Sequence, residues 1–347
     1  MTTPGGLPVT IRAMTLRDLP RLAPLCRGGL HLDLPGALLS GYTPLHGLLQ
    51  SRWSPIAPRG SHVRNYVARC QGAPCAFVQA RARAVPRKWD IVYLAAARRG
   101  PAATPDGRLR IWTVLLDYTT ASAGRRGIQR LYAKQPGDGE AAEAFRAAGY
   151  VRYGEEALYH LYGGTTLATS AADGEAEPPP MRPQTPADTW ALHRLYTLTA
   201  PKPVQYAEAY TSHRWEIAEH GLWRPRRGLR EWGFVVEQGQ EIIVYCRVGR
   251  QRQRIRLAFV FEPEGRALLE PVLDAVLREV APGRDDRVYC TVQEYQQELA
   301  PLLEARGFER LGAQELLVRY TTVSVRRALA PAWLVRENVR AGVPAHL

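Results

Sequence analysis

The side chains with the clearest chemical potential in this sequence are arginines. The chain carries 46 Lys and Arg against 33 Asp and Glu, a formal charge of +13, and Lys88, Lys134 and Lys202 are the only lysines. Two clusters stand out: Arg224, Arg226, Arg227 and Arg230, then Arg247, Arg250, Arg252, Arg254 and Arg256. Read as one strand, the even spacing from Arg250 to Arg256 sets four guanidinium groups on one face. That pattern suits either a solvated strand face or an anion-binding one. A basic chain favours an anionic partner, whether nucleic acid, a phosphorylated cofactor or an acidic surface. Nucleic acid agrees with the net charge, yet no aromatic residues interleave with the basic runs to stack on bases.

Other reactive residue types offer less. Cys26, Cys70, Cys75, Cys246 and Cys290 are odd in number, and only Cys70 and Cys75 are close. Without a matching His or Cys cluster at zinc spacing, they read as reduced structural thiols, and no metal site is expected. The eight histidines are scattered, with His193 and His213 inside helical patterns. No stretch reaches the roughly 20 apolar residues of a membrane helix, and MTTPGGLPVT lacks the basic and apolar regions of a secretory signal. A cytoplasmic protein without a membrane partner is expected.

The elements that must position any site are written twice. Of 347 residues, 46% are hydrophobic, enough for two cores of roughly 150 residues. Gly149, Tyr150, Arg152, Gly154, Leu158 and Tyr162 recur without a gap as Gly307, Phe308, Arg310, Gly312, Leu316 and Tyr320. Near the start of each half, Ile11, Arg12, Thr15, Asp18, Leu22 and Leu25 recur as Met181, Arg182, Thr185, Asp188, Leu192 and Leu195. The closing repeat reads as a helix, a glycine stop and a strand, since glycine takes the left-handed conformation that ends a helix.

In chain order, PVTIRAMT predicts a strand and residues 16–26 a helix, with Thr15 as N-cap and Asp18 completing a variant capping box. Residues 33–58 predict short helical pieces and loops. Three antiparallel strands follow over 65–97, with turns at 71–74 and 86–88. Thr104 as N-cap and Pro105 at the first helical position open a helix of about five turns. Strand IQRLYAKQ, helix EAAEAFRAA and strand VRYGEEALYHLY complete the half. The second half repeats this order, with helices at 187–197 and around 206–220, strands GFVVEQ, EIIVYCRVG and RIRLAFVFE, a helix at 266–280, strand RVYCTVQ, a helix at 296–306 and a last strand. The expected division is a domain at 8–162, a flexible linker at 163–180 containing three consecutive prolines, a domain at 181–323 and a tail at 324–347. The fold class is α+β: two tandem domains, each a mixed sheet of about six strands flanked by helices.

This order, present twice and closing on AFRAAGY and LLEARGF, resembles the GNAT superfamily of acyl-CoA-dependent N-acyltransferases, over about 300 residues. The resemblance implies acetyl-CoA or another acyl-CoA as donor and a small-molecule or protein amine as acceptor. Ligands of such domains lie where two adjacent parallel strands splay. It further implies a loop Gln/Arg-x-x-Gly-x-Gly/Ala that holds the CoA pyrophosphate at a helix N-terminus. Ala97, Arg98, Arg99, Gly100, Pro101 and Ala102 match at Gly100 and Ala102, with Ala97 in place of Gln or Arg. In the second half, Glu262 to Ala267 match at Gly265 and Ala267, but Glu262 and Glu264 oppose a phosphate. Two like charges about 5 Å apart repel by a few kcal/mol at an effective dielectric of about 20. The first half is therefore favoured for the cofactor, through Ala97, Arg98, Arg99, Gly100 and Ala102.

The family's usual acid, a Tyr four residues before the closing Gly-aromatic pair, is Phe145 in one half and Leu303 in the other. Tyr132 and Tyr150 are the candidate replacements. No base is assigned, although Asp90 and Asp106 lie near the relevant strand and loop. Two other functions fit the sequence: a non-catalytic tandem binding or interaction protein, and a nucleic-acid-associated transferase.

Overall fold

The computed structural model describes residues 9–33, 63–83, 85–163, 181–217 and 229–321, with Leu38, Thr43 and Pro44. Residues 164–180 of the expected linker, the expected tail at 324–347, most of segment 34–58, and Arg224, Arg226 and Arg227 lie outside them.

Strand β1 (Val9–Ala13) leads into the short helix α1 (Leu19–Leu22), and β2 (Leu30–His31) follows. Strands β3 (Val63–Cys70), β4 (Ala73–Ala82) and β5 (Lys88–Ala96) form a meander. Helix α2 (Pro105–Gly124), β6 (Arg130–Gln135), α3 (Ala142–Ala147) and β7 (Val151–Tyr162) complete the first half. The second half holds β8 (Met181–Pro183), α4 (Thr189–Thr199), α5 (Lys202–Glu208), β9 (Leu229–Gln238), β10 (Glu241–Gln251), β11 (Arg254–Phe261), α6 (Leu269–Val280), β12 (Arg287–Gln293), α7 (Leu299–Ala305) and β13 (Glu309–Tyr320).

The fold is α+β and built twice, with one consequence of the duplication that residue patterns do not reveal. The closing strand of each half pairs in the other half: β13 runs antiparallel to β6, β7 antiparallel to β12, and β7 and β13 pair with each other. The strands described form one continuous sheet in the order β1-β3-β4-β5-β6-β13-β7-β12-β11-β10-β9-β8, with β2 attached to β5. Each half thereby supplies the strand that covers an edge the other would leave open.

The repeated opening motif has a physical basis. Arg12 donates from both terminal nitrogens to Asp18, each at 2.7 Å, and Asp18 accepts from the Thr15 N–H at 2.8 Å. Arg182, Thr185 and Asp188 repeat this geometry at 2.8, 2.8 and 2.6 Å. The expected helix over 16–26 is interrupted: a 3-10 turn, α1 and a second 3-10 turn at Leu25–Arg27 divide the segment. Pro24, which has no N–H for a helical ladder, falls between the last two. The closing motif behaves as expected, with Gly149 and Gly307 at φ +71° and +83° ending the helices before β7 and β13.

Two expectations are corrected. The second arginine cluster does not share a strand, because Arg252 takes φ +55° in the tight turn between β10 and β11. Arg250 instead pairs with Asp286 at 2.6 Å, while Arg254 and Arg256 share the half-buried face of β11. Cys70 and Cys75 are joined as a disulfide across the β3–β4 turn, leaving Cys26, Cys246 and Cys290 as thiols.

Helices cover both faces. On one, α2 and α3 pack Ile111, Leu115 and Phe145 against Val78, Leu94 and Leu131, and α6 and α7 pack Leu273, Val276 and Leu303 against Val248, Leu257 and Cys290. On the other, Leu22 of α1 meets Phe77 and Tyr93. Helices α4 and α5 lie across the centre of that face, where Leu192, Leu195, Val204 and Ala207 contact Tyr132, Tyr153, Tyr245, Leu316 and Val318. Each fully buried aliphatic side chain there contributes about 1.5–3 kcal/mol, so this layer holds the halves together.

Candidate functional site

Each half contains one parallel strand pair, and in each the pairing is brief. Strands β5 and β6 pair only at Lys88–Asp90 against Arg130–Tyr132, and β11 and β12 only at Arg254–Leu257 against Arg287–Cys290. Beyond these contacts β5 and β11 run on while their partners diverge. The resulting gaps are filled differently.

In the first gap lies the protein's own chain. Leu30 and His31 pair with Leu94 and Tyr93. The Leu32 N–H donates to the Val92 carbonyl at 3.1 Å, and the Leu32 carbonyl accepts from the Lys134 N–H at 3.1 Å. Backbone groups on both diverging edges are thus satisfied internally. The local sequence explains the close approach: a Cβ on Gly29 would lie 2.6 Å from the Tyr93 ring. The Tyr93 hydroxyl accepts from the Gly29 N–H and donates to the Cys26 carbonyl, both at 2.9 Å.

The second gap opens on a cavity of about 120 Å³, lined by Arg256, Ala258, Phe259 and Val260 of β11, Thr291 and Gln293 of β12, the aromatic Tyr196, Trp215 and Tyr295, and the charged Glu208, Arg214 and Arg247. Among the described residues, a side chain reaches its strand edge there, the Gln296 amide donating to the Phe259 carbonyl at 2.7 Å. The Tyr196 hydroxyl is buried and has no hydrogen-bond partner among the described residues.

The two loops also differ. In the first, the Ala97 N–H still pairs with Cys75, Arg98, Arg99 and Gly100 are exposed, and Ala102 is buried in the core. Gly100 has φ +73°, and Thr104 caps α2 by accepting from the Gly107 N–H at 3.2 Å. Arg108 donates to the carbonyls of Ala102 and Ala103. In the second, Gly265 sits where a Cβ would lie 2.7 Å from Val244. Burial, and then repulsion from Glu264 and Glu241, raises the Glu262 carboxyl above its usual range.

Of the candidate tyrosines, Tyr132 is buried and donates to the Ala207 carbonyl at 2.7 Å, with the Arg83 guanidinium 3.6 Å from its ring centre. Tyr150 is buried in the first core, edge-on to Phe145 at 4.9 Å. Burial raises both hydroxyl pKa values. Tyr132 belongs to the cluster between the halves, whereas Tyr150 and Ala102 belong to the core of the first half.

The fold does bring together residues that no sequence pattern groups. Beside the second gap, a cavity of about 400 Å³ lies between the halves. The first half contributes Arg81, Arg83, Lys88, Asp90, Lys134 and Glu156, and the second contributes Glu208, Arg214 and Arg256. Glu208 is central: its carboxylate accepts from Tyr153 at 2.6 Å and Arg83 at 3.2 Å, while Arg83 also meets Asp90 at 2.7 Å. Burial opposes ionisation of Glu208, but Arg83 and the hydroxyls of Tyr153 and Tyr210 outweigh it and hold the carboxyl below its ordinary value. Lys88 donates to the carbonyls of Glu208 and Ala209, capping the C-terminus of α5, where Ala209 is left-handed at φ +41°. Burial lowers the Lys88 pKa to about 8. Glu156 accepts from Lys134, Gln314 and Gln293 at 2.7, 2.6 and 3.0 Å. Among the described residues no group of His, Cys, Asp and Glu could hold a metal ion, and no helix is long and apolar enough to cross a membrane.

No protein-family model matches the chain, and no curated protein matches its sequence. Solved structures do. A tandem GNAT protein from the clavulanic acid biosynthesis pathway, in a structure without AcCoA, is 16% identical with a TM-score of 0.47, covering 91% of this chain and 100% of that one. A GCN5-related N-acetyltransferase from Sphaerobacter thermophilus is 14% identical with a TM-score of 0.48, covering 91% and 98%. Another from Anabaena variabilis is 13% identical with a TM-score of 0.44, covering 91% and 73%.

Proposed function

We propose that the protein is a GNAT-type N-acyltransferase that takes an acyl group from acetyl-CoA or another acyl-CoA through the second half. The observation that carries this reading is the contrast between the two strand gaps: Leu32 closes the first on both edges, whereas the second opens on a cavity lined by aromatic and charged side chains. The donor site accordingly moves from the first-half loop favoured by charge to β11 and β12. The reaction is attack of an unprotonated amine on the thioester carbonyl, with the amine proton leaving to a base and the thiolate departing as CoA. Tyr196, neutral at physiological pH because burial raises its pKa, donates a hydrogen bond to the departing thiolate. The acceptor amine approaches from the charged cavity that adjoins the gap.

A second reading, a non-catalytic binding protein, is favoured by Glu262 and Glu264 at the phosphate position of the second loop. Calorimetric titration with acetyl-CoA and CoA separates the two. Ala258→Phe places a ring in the second gap; loss of binding in this variant supports the donor site there. Undiminished binding puts the donor elsewhere, and absence of heat from the unmodified protein at millimolar CoA leaves the binding-protein reading.

A further inference from the structure

We infer that the cavity between the halves is a binding site for a small dianion, a phosphate monoester or a dicarboxylate, with Arg256 as its principal ligand. The inference goes beyond the proposed acyl transfer: it names a ligand for the cavity through which the acceptor approaches, and its probes need no CoA.

Charge pairing leads to it. The lining contains six cationic side chains, Arg81, Arg83, Lys88, Lys134, Arg214 and Arg256, against three carboxylates, Asp90, Glu156 and Glu208. Every one of those carboxylates is engaged: Asp90 and Glu208 by Arg83, Glu156 by Lys134. None is left to neutralise Arg256. Its half-buried guanidinium forms no hydrogen bond or ion pair among the described residues, and its Nε is wholly buried without an acceptor. A charge-bearing group withdrawn from water without a partner is costly, and native interiors rarely retain one without a use.

Position adds to the argument. Arg256 belongs to the second half and Lys134 to the first, and both line this cavity. The fold therefore holds two cations from different halves near one another with a single carboxylate, Glu156, beside them. An anion entering at this point neutralises both, and a planar guanidinium matches the paired oxygens of a carboxylate or phosphate. About 400 Å³ is within the range of small-molecule sites. Because the ligand touches both halves, its binding also braces them against each other, and stability rises with ligand concentration.

The test uses the full chain, with glycerol 3-phosphate and malate as probes and sodium chloride at matched ionic strength as the reference. Thermal denaturation and calorimetry should show a saturable rise in Tm for one or both probes, with Kd below 1 mM on the scale of a two-anchor polar site. The probe that saturates identifies phosphate or dicarboxylate as the ligand chemistry. Arg256→Gln should weaken binding by at least about tenfold, while Arg310→Gln, outside the cavity, should not. Since Arg256 has no internal partner, Arg256→Gln should leave the Tm of the unliganded protein unchanged or higher, which separates lost binding from lost folding. If Arg256→Gln does unfold, Arg256→Lys tests the same point, with weaker binding expected from loss of the bidentate fork. Absence of saturation by either probe, or full binding retained without the Arg256 guanidinium, overturns the inference.

Discussion

Tyr153 of the first half donates its hydroxyl to Glu208 of the second at 2.6 Å, and this contact lies within a buried ionic network between the halves. The same carboxylate receives Arg83, and the backbone that carries it receives Lys88. Removing the carboxylate charge would strand Arg83 with only Asp90. Breaking one partner of a buried ionic network costs about 3–5 kcal/mol, whereas losing one hydroxyl hydrogen bond to a charged group costs about 1.5–3. Glu208→Gln should therefore lower Tm by more than Tyr153→Phe, and differential scanning calorimetry measures both. Equal losses would show that the ion pair contributes little.

Lys88 predicts a pH effect in a defined window. Its pKa falls from 10.5 to about 8 on folding, with burial as the leading cause and Glu208 partly opposing it. Between these values the unfolded chain holds more protons at this site than the folded one. Stability from this residue thus rises as pH increases from about 8 to 10.5, at up to about 1.4 kcal/mol per pH unit. Urea denaturation over this range, compared with Lys88→Met, isolates the contribution. A variant with the same slope as the unmodified protein would assign the effect to other groups.

At the acid end the repeated motif acts twice. Hydrogen bonding from Arg12 and Arg182, against some desolvation, lowers Asp18 and Asp188 from 3.8 to about 2. Both groups have depressed folded-state pKa values, so their contribution is complete above about pH 4 and disappears as pH falls towards 2. Because each arginine is about a third exposed, solvent screening reduces each pair to on the order of 1 kcal/mol. Asp18→Asn and Asp188→Asn should each flatten acid unfolding by a similar amount, and the effects should add, since the two motifs share no partner.

The contrast between these sites marks what sequence alone conveys. Arg12 and Asp18, like Arg182 and Asp188, are six residues apart, and Thr15 and Thr185 are three from those aspartates, so spacing exposes the motif. Thr104 and Pro105 announced α2, and Gly149 and Gly307 ended their helices at the expected residues, for the same local reason. The exchange of β7 and β13 was hidden, because either strand satisfies the same alternation wherever it pairs. Leu32 was hidden as well: it falls between the helix expected at 16–26 and the segment expected from 33, and only the divergence of β5 from β6 gives its backbone partners. Lys88 and Glu208 are 120 residues apart, and an isolated Glu in YAEAY carries no sign that a network converges on it.

Those hidden features decide where an acyl-CoA donor is expected, and the two loops allow the choice to be tested. If the donor lies at the second gap, the CoA pyrophosphate meets Glu262 and Glu264 near the residues preceding α6. A carboxylate about 5 Å from a phosphate is repelled by roughly 3 kcal/mol at an effective dielectric of 20, and by less where water screens it. The Glu262→Gln, Glu264→Gln double variant should therefore bind CoA at least about tenfold more tightly, with the gain shrinking as salt is added. Arg98→Glu with Arg99→Glu, on the first loop, should leave affinity unchanged, because Leu30, His31 and Leu32 occupy the gap beside it. Calorimetry on both double variants at two salt concentrations gives the result directly. Tighter binding in the first and no change in the second fit a donor held by the second half; the opposite pattern returns the cofactor to the loop at Arg98 and Arg99.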